Sequence, residues 1–301
     1  MHDYVIVLIN GAGAPALTRA RVNDFYYGLV PGQTRTGVVW LSIGEAVELR
    51  IRVDEPSDAE AIFELTKDVF ADAPIDVALL PADGRRKQLL VADMESTMIA
   101  EECLDELAAV AGIGPKIAAI TERAMRGELD FEAALRERVA LLKGTPVSAL
   151  EALRERLTPV PGGKTLVATM RAHGAYTALV SGGFTFFTEP VAARLGFHAQ
   201  FANRLGVADG KLDGAVAEPI LGRAAKVERL AALAREHSLT LAQTLAVGDG
   251  ANDVEMVENA GLGVAYRGKP LLASVADADI RHADLTALLY LQGYKREEFV
   301  T

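Results

Sequence analysis

The sequence predicts an α/β protein in which a small α+β module precedes an open parallel sheet with a helical insertion. Three observations support this prediction. The first 84 residues alternate between strand and helix patterns, and the polar stretch PADGRRKQ, residues 81–88, spans the end of this module. Four short apolar runs then alternate with helical patterns, which is typical of parallel strands covered on both faces. Amphipathic helical patterns with no strand between them interrupt this alternation at about residues 100–157.

The first module has the element order β-α-β-β-α-β, which is typical of a ferredoxin-like sandwich. The patterns are, in order, YVIVLIN, APALTRARVNDFYYGL, GVVWLSIG, AVELRIRV, DAEAIFELTKDVF and IDVALLPA. We therefore expect a separate ferredoxin-like domain over residues 1–84 and a larger domain over residues 85–301.

The larger domain contains the apolar runs LLVAD, AYTALVSGG, TLAVGDG and GLGVAY. Its other helical patterns lie at about residues 162–173, 186–195, 222–237 and 252–260. This βαβ alternation predicts a parallel sheet. The segments ECLDELAAVAGI, PKIAAITERAMRG, FEAALRERVALLKG and VSALEALRERL predict a helical cap over that sheet, and FANRLGVADGKLDGAVAEP predicts a further hairpin.

Composition limits the classes of function. A formal net charge of −10 argues against general binding to nucleic acid, because phosphate backbones require basic surfaces. No apolar stretch reaches the ~18 residues of a membrane span. The start of the chain carries Asp3 and lacks a basic region, so it predicts a first strand and not a signal peptide. The single cysteine, Cys103, excludes an internal disulfide, predicts a buried helical position and fits a reducing cytoplasm.

Polar or glycine-rich sequence follows three of the predicted strands: DMEST at residues 93–97, SGG at 181–183 and GDGAND at 248–253. The carboxyl ends of parallel strands meet at one edge of a sheet, so we expect these segments to lie together. Clustered carboxylates without histidine or cysteine favour Mg²⁺. Glycine loops and helix starts offer N–H groups to a phosphate. One carboxylate can then attack the phosphate while a second one moves protons.

Each of these features alone has a structural interpretation. An acid or serine before a helix is usually a cap, SGG is usually a turn, and Lys226 at a helix start is by default solvated. The functional interpretation is favoured by the joint order of an acid pair after one strand, a serine after the next, a lysine, and Asp-x-x-Asn-Asp after a third strand.

With these motifs the sequence resembles the haloacid dehalogenase superfamily of phosphohydrolases, and within it the phosphoserine phosphatases. The segments DMESTMIAEECLDELA, FEAALRERVALLKG, VSGGF and VGDGANDVEM carry the resemblance, which covers about residues 87–295. It implies a Rossmann-like core with a helical cap and Mg²⁺ as cofactor. It also implies hydrolysis of phosphoserine through an aspartyl-phosphate, in the last step of serine biosynthesis.

The resemblance implies a role for each matching residue. Asp93 would be the nucleophile and Glu95 the general acid and base. Mg²⁺ would be bound by the carboxylates of Asp93 and Asp249 and by the backbone carbonyl of Glu95. Asp253 would hold a metal-bound water. The phosphate would contact Ser181, Gly182 and Lys226. The rest of the substrate would lie near Glu102 for its ammonium, Arg138 for its carboxylate, the apolar lid residues Met125 and Phe131, and Gly183 and Asn252.

One position departs from the family pattern, because Glu95 stands where the family has aspartate. The additional methylene moves the carboxyl outward by about one bond length, and catalysis is sensitive to such displacements. Either the surrounding loop has adjusted and Glu95 is a working acid and base, or the position is impaired and hydrolysis is slow. We expect the first.

Other functions stay open on the sequence alone. The same residues fit a related phosphotransferase, or a phosphatase for another small phosphomonoester. Outside enzymes, they fit a phospho-acceptor signalling module, against which the cap and the additional Asp-x-x-Asn-Asp argue. A further alternative is an amino-acid sensor that acts through the first module. The first module resembles the small amino-acid-binding, ACT-type domains, which implies either an amino-acid effector site or the pairing of two subunits into a homodimer. No nucleic-acid or membrane partner is expected.

Overall fold

The computed structural model of the protein describes residues 1–11, 13, 16–126 and 128–301, without the side chain of Met125. These residues form an antiparallel four-stranded sheet, a parallel six-stranded sheet and a two-stranded hairpin. The predicted fold class is therefore confirmed. None of the described helices has the length and apolar character that crossing a membrane requires.

The antiparallel sheet has the strand order β2-β3-β1-β4, with α1 and α2 in the predicted places. Its elements are β1 His2–Asn10, α1 Arg19–Gly28, β2 Arg35–Ser42, β3 Ala46–Val53, α2 Pro56–Phe70 and β4 Ile75–Pro81. Helix α1 begins later than the sequence pattern indicated. Its start follows Thr18, whose side chain accepts the N–H of Arg21 at 3.2 Å and so caps the helix.

The parallel sheet has the strand order β12-β11-β10-β5-β6-β7. Its strands are β5 Leu89–Ala92, β6 Tyr176–Phe184, β7 Ala199–Asn203, β10 Thr244–Gly248, β11 Leu262–Tyr266 and β12 Ala278–Ile280. The separate hairpin consists of β8 Leu205–Ala208 and β9 Lys211–Val216. The sequence pattern predicted the four inner strands and missed β7 and β12. These two lie at the edges of the sheet, where partial exposure removes the continuous apolar run that identifies an inner strand.

Four helices form the predicted cap between β5 and β6: α3 Cys103–Val110, α4 Gly114–Met125, α5 Phe131–Leu141 and α6 Val147–Arg156. The remaining helices are α7 Gly163–Ala172, α8 Thr185–Leu195, α9 Arg223–Glu236, α10 Val254–Asn259, α11 Pro270–Ala273 and α12 Ala287–Leu291. The cap contacts the hairpin through backbone bonds from Gly144 to Leu212 at 2.8 Å and from Val147 to Gly210 at 3.0 Å. Arg136 of α5 also pairs with Glu218 at 2.7 Å. The cap is thus held to the hairpin and to the segment that follows it.

One face of the antiparallel sheet packs on the larger core. Val5, Val7 and Leu80 belong to the same apolar cluster as the residues of α12, whereas α1 and α2 cover the other face. The buried carboxylate of Asp76 accepts the backbone N–H groups of residues 281–283 at 2.8–3.2 Å. This packing fixes the first sheet against the second, while the division into domains 1–84 and 85–301 stays a prediction.

Candidate active site

The polar segments that follow the inner strands meet at the carboxyl edge of the parallel sheet, as the sequence predicts. Strand β5 lies between β10 and β6, so Asp93 has the end of β10 on one side and that of β6 on the other. Its backbone N–H donates to the carbonyl of Val247 at 2.9 Å, which continues the ladder one residue beyond the strand. This order brings Asp93, Ser181 and Asp249 to one place.

A buried ion cluster stands at the centre of this edge. The Lys226 Nζ lies 2.7 Å from Asp93 Oδ1 and 2.6 Å from Asp253 Oδ1, and all three side chains are almost completely shielded from solvent. Burial lowers the pKa of Lys226, but the two carboxylates outweigh burial and raise it above its usual value. The lysine therefore stays cationic and offsets the charge of both acids.

The GDGAND loop folds closely around Asp253. The backbone N–H groups of Asp249 and Gly250 donate to Asp253 Oδ2 at 3.3 and 3.1 Å. A Cβ atom on Gly248 would lie 2.3 Å from Asp253 Cγ, so only glycine allows this approach. The second carboxylate oxygen of Asp253 stays with Lys226. Asp253 thus connects the end of β10 to α9.

The donor set fits a hard divalent metal ion. Asp93, Asp249 and Asp253 each offer an oxygen atom within 4.8 Å of the others. Three carboxylates share one buried lysine, and burial and the charge of Asp253 raise the pKa of Asp93 well above its usual value. Oxygen donors of this kind suit cations that prefer hard ligands. Burial raises the pKa of Asp249, and Lys269, with its Nζ 3.6 Å from Asp249 Oδ2, opposes that shift. The cluster can therefore hold a metal ion.

Glu95 is half-buried beside this cluster and has its two oxygens in different surroundings. Oε1 accepts the backbone N–H of Cys103 at 2.8 Å. Oε2 faces Gly183, where an added Cβ atom would lie 3.2 Å from it and 3.1 Å from Ser181 Oγ. Burial, and after it the charge of Glu102, raises the pKa of Glu95 to about 7. A group with this pKa can give and take a proton near neutral pH.

Ser181, Gly182 and Gly183 form the last, irregular part of β6, called the SGG loop here, and side chains hold it in place. Ser181 is buried, and its Oγ accepts the N–H of Gly183 at 2.9 Å. The buried Asn203 donates from Nδ2 to the carbonyls of Gly182 at 2.9 Å and Leu221 at 3.2 Å. Its Oδ1 accepts the N–H of Leu221 at 2.6 Å. Asn203 therefore ties the SGG loop to the segment that precedes Lys226.

The cap places Phe131 and Arg138 of α5 over these loops. A Cβ atom on Gly182 would lie 3.2 Å from the Phe131 ring, which therefore covers the SGG loop. Arg138 is half-buried, and burial lowers its pKa while Asp105, Glu95 and Glu102 oppose this shift. Its Nε donates to the carbonyl of Ala134 at 3.3 Å, and it forms no ion pair with another described residue. Its charge thus faces a group of acids without being paired by one.

The remaining predicted residues lie at the rim. Glu102 is exposed, and its Oε1 accepts the hydroxyl of Ser96 at 2.7 Å. Asn252 lies over Gly250, where an added Cβ atom would be 2.6 Å from Asn252 Oδ1. The side chain of Met125, a predicted lid residue, lies outside the described part of the chain. The structure thus brings the other predicted residues to one edge, whereas their roles stay predictions.

A family profile described as haloacid dehalogenase-like hydrolase matches residues 90–258. The chain belongs to this family. It is 41% identical over 254 residues to the phosphoserine phosphatase SerB2 of Mycobacterium tuberculosis. The aligned region covers 84% of this chain and 62% of that protein. It is 43% identical over 222 residues to the phosphoserine phosphatase of Haemophilus influenzae, with 73% and 71% covered. The chain therefore spans less than two thirds of the M. tuberculosis relative.

A solved structure, described as a probable phosphoserine phosphatase from Vibrio cholerae in unliganded form, superposes on this haloacid dehalogenase-like hydrolase with a TM-score of 0.77. The two are 32% identical, and the match covers 99% of this chain and 88% of the other. The likeness therefore extends over the first sheet as well as over the core and cap.

Sequence reasoning missed three groups at the site: the side chains of Asn203 and Lys269 and the backbone N–H of Cys103. Asn203 was included in the predicted hairpin, although it ends the edge strand β7. An asparagine at that position has low β propensity, which is the one signal that could have marked it. Lys269 lies at a helix start far along the chain, and a backbone N–H has no sequence signal.

Replacing Asn203 by aspartate is expected to weaken phosphate binding at the SGG loop. The variant has nearly the same shape, but it removes two donors and turns a carboxylate toward the carbonyls of Gly182 and Leu221. In calorimetric titration with metal present, we expect the affinity for inorganic phosphate to fall at least about tenfold. This corresponds to the net free energy of about one or two hydrogen bonds. Asn259→Asp, a matched change at an exposed asparagine, should keep the native affinity. Equal affinities of native chain and Asn203→Asp would contradict the assigned role.

Proposed function

We propose that this chain is a Mg²⁺-dependent phosphoserine phosphatase that hydrolyses O-phospho-L-serine to L-serine and phosphate. One observation carries the choice of substrate. The cap holds the unpaired guanidinium of Arg138 near the carboxylate of Glu102, beside the acid pair at the sheet edge. A free amino acid with a phosphate ester offers one anion and one cation to such a pair. The names of the relatives from M. tuberculosis and H. influenzae support the same substrate.

In the first half of the proposed reaction, Asp93 attacks the phosphorus atom. The new bond joins a carboxylate oxygen of Asp93 to phosphorus, and the bond from phosphorus to the seryl oxygen breaks. Glu95 gives its proton to that seryl oxygen, so serine leaves as a neutral alcohol. Lys226, 2.7 Å from Asp93, offsets negative charge at the reacting centre. The product at this stage is the aspartyl-phosphate.

In the second half, Glu95 is the base. It takes a proton from a water molecule whose oxygen attacks phosphorus, and the bond from Asp93 to phosphorus breaks, which regenerates the free carboxylate. A pKa of about 7 suits both duties. Mg²⁺, when bound by Asp93, Asp249 and the backbone carbonyl of Glu95, would neutralise phosphate charge, and Asp253 would hold a metal-bound water.

Substrate recognition divides between the core and the cap. Ser181, the N–H of Gly182 and Lys226 are proposed to bind phosphate, with Gly183 near the rest of the substrate. Glu102 and Arg138 are proposed to bind the ammonium and the carboxylate, while Phe131 excludes water above them. Asn252 is proposed to lie near the substrate at the rim of the site. A cytoplasmic location, a homodimer and an amino-acid effector at the first sheet stay predictions.

The proposed function is tested by phosphate release with Mg²⁺ from four substrates: L-phosphoserine, D-phosphoserine, phosphothreonine and phosphoethanolamine. We expect a strong preference for L-phosphoserine, because both the ammonium and the carboxylate are bound. Phosphoethanolamine lacks the carboxylate, so equal rates on it would remove Arg138 from its proposed role. Absence of turnover on all four with Mg²⁺ would refute the proposed function.

Asp93→Asn is expected to eliminate turnover of phosphoserine. An amide oxygen is a poor nucleophile and a weaker metal ligand than a carboxylate. Circular dichroism should show an unchanged fold, because asparagine has nearly the same shape and Lys226 keeps its contact with Asp253. If the variant kept more than about a hundredth of the native turnover, the loss would be smaller than one general acid–base group usually causes, which would contradict covalent catalysis.

Arg138→Lys is expected to lower kcat/KM for phosphoserine clearly and to leave hydrolysis of an aryl phosphate nearly unchanged. Lysine keeps the charge but lacks the planar fork that grips a carboxylate through two bonds. Arg123→Lys is the matched control, because that arginine lies on the outer part of the cap and pairs with Glu137. An equal loss on both substrates would indicate damage to the cap itself.

A further inference from the structure

The longer side chain of Glu95 reaches the start of the first cap helix. Its Oε1 accepts the N–H of Cys103 at 2.8 Å, and Cys103 is the first residue of α3. The N–H groups of the first turn of a helix have no partner within that helix. The carboxylate thus occupies a donor that would otherwise need another acceptor, at the end of the helix where negative charge is favoured.

Both the N–H and the thiol of Cys103 hydrogen-bond Glu95, and the N–H bond holds Oε1 at the start of the cap helix. With Oε1 held at the cap helix, Oε2 lies on the side of Gly183 and Ser181, where the phosphate ester is expected. A glutamate has one more rotatable bond than an aspartate and therefore more rotamers to choose from. A charge-assisted bond to a backbone N–H is among the stronger restraints on such a side chain.

We propose that the backbone N–H of Cys103 is a positioning group for Glu95, so that the cap helix α3 compensates for the additional methylene of a glutamate at this position. The inference rests on the proposed function, because it concerns the acid and base of that reaction. An aspartate would end about one bond length nearer the strand and would not reach this N–H. The start of the cap is thereby part of the machinery for proton transfer.

Because the thiol of Cys103 also hydrogen-bonds Glu95, a pair of substitutions that both lose the thiol is needed to isolate the N–H bond. Proline lacks an N–H and is favoured at the first position of a helix. The preceding residue, Glu102, has φ −99° and ψ 99°, an extended conformation that a following proline tolerates. Cys103→Pro therefore removes the donor and retains the helix start. Cys103→Ala, which loses the thiol and keeps the N–H, is the reference against which it is measured.

We expect kcat/KM for phosphoserine to be about tenfold to a hundredfold lower in Cys103→Pro than in Cys103→Ala, less than the whole worth of an acid–base group. For p-nitrophenyl phosphate the ratio should stay within about threefold, because this leaving group needs little protonation. Inhibition by L-serine should be equal in the two variants, since serine binding does not use the bond. Equal kcat/KM values of the two variants on phosphoserine would overturn the proposal.

The same pair of variants in the Glu95→Asp background separates positioning from damage to the cap. There the ratio should fall to within about threefold, because the shorter side chain does not make the bond. An unchanged ratio would show that proline acts through Glu102 or the cap fold, which would also overturn the proposal. Inactivity of the native chain on phosphoserine is a different result, since it refutes the proposed function before any variant is compared.

A spectroscopic measurement needs no proline. Cys103 is the one cysteine of the chain, so labelling with ¹⁵N-cysteine gives a single backbone amide signal. In the native chain this amide proton should resonate downfield and exchange slowly. In Glu95→Asp it should shift upfield and exchange at least about tenfold faster, as expected when a charge-assisted bond is lost. An unchanged signal would show that the bond to Glu95 is not formed.

Discussion

The ammonium group of Lys226 holds the buried carboxylates of Asp93 and Asp253, and the arrangement of the site depends on this interaction. Two buried carboxylates repel each other, and an unpaired buried charge is costly. The positive charge of the lysine reduces this repulsion and pairs both acids, at 2.7 Å from Asp93 and 2.6 Å from Asp253. Because the three residues come from β5, α9 and the loop before α10, one ion cluster fixes three separate elements at the sheet edge. Truncating the lysine would leave two buried acids without a counter-charge, which is expected to destabilise the site.

Loops around this cluster are ordered by side chains that bind backbone groups. Asp253 receives two N–H groups of its own loop, and Asn203 binds both the SGG loop and the segment before α9. Such side-chain bonds satisfy polar backbone groups that no sheet ladder reaches at the end of a strand. The order of the loops at the sheet edge therefore depends on a few side chains whose partners are backbone groups.

The cap joins the core through polar contacts as well as apolar packing. Backbone bonds connect it to the hairpin, Arg136 pairs with Glu218, and Glu95 binds the start of α3. The last of these contacts links the core strand that carries the proposed nucleophile directly to the cap. The antiparallel sheet, in contrast, packs against α12 and β12 of the core.

Residue types and their spacing were sufficient to predict the elements of the first module, the four inner strands of the parallel sheet, the cap and the polar segments at the strand ends. They sufficed because inner strands need continuous apolar runs, and because the ends of parallel strands converge whatever loops join them. The edge strands β7 and β12, being partly exposed, lacked that signal. The role of Asn203 and the orientation of Glu95 were decided only by the tertiary structure. Their partners are backbone groups, present at every residue, and only the docking of α3 and of the loops determines which of these groups a given side chain meets.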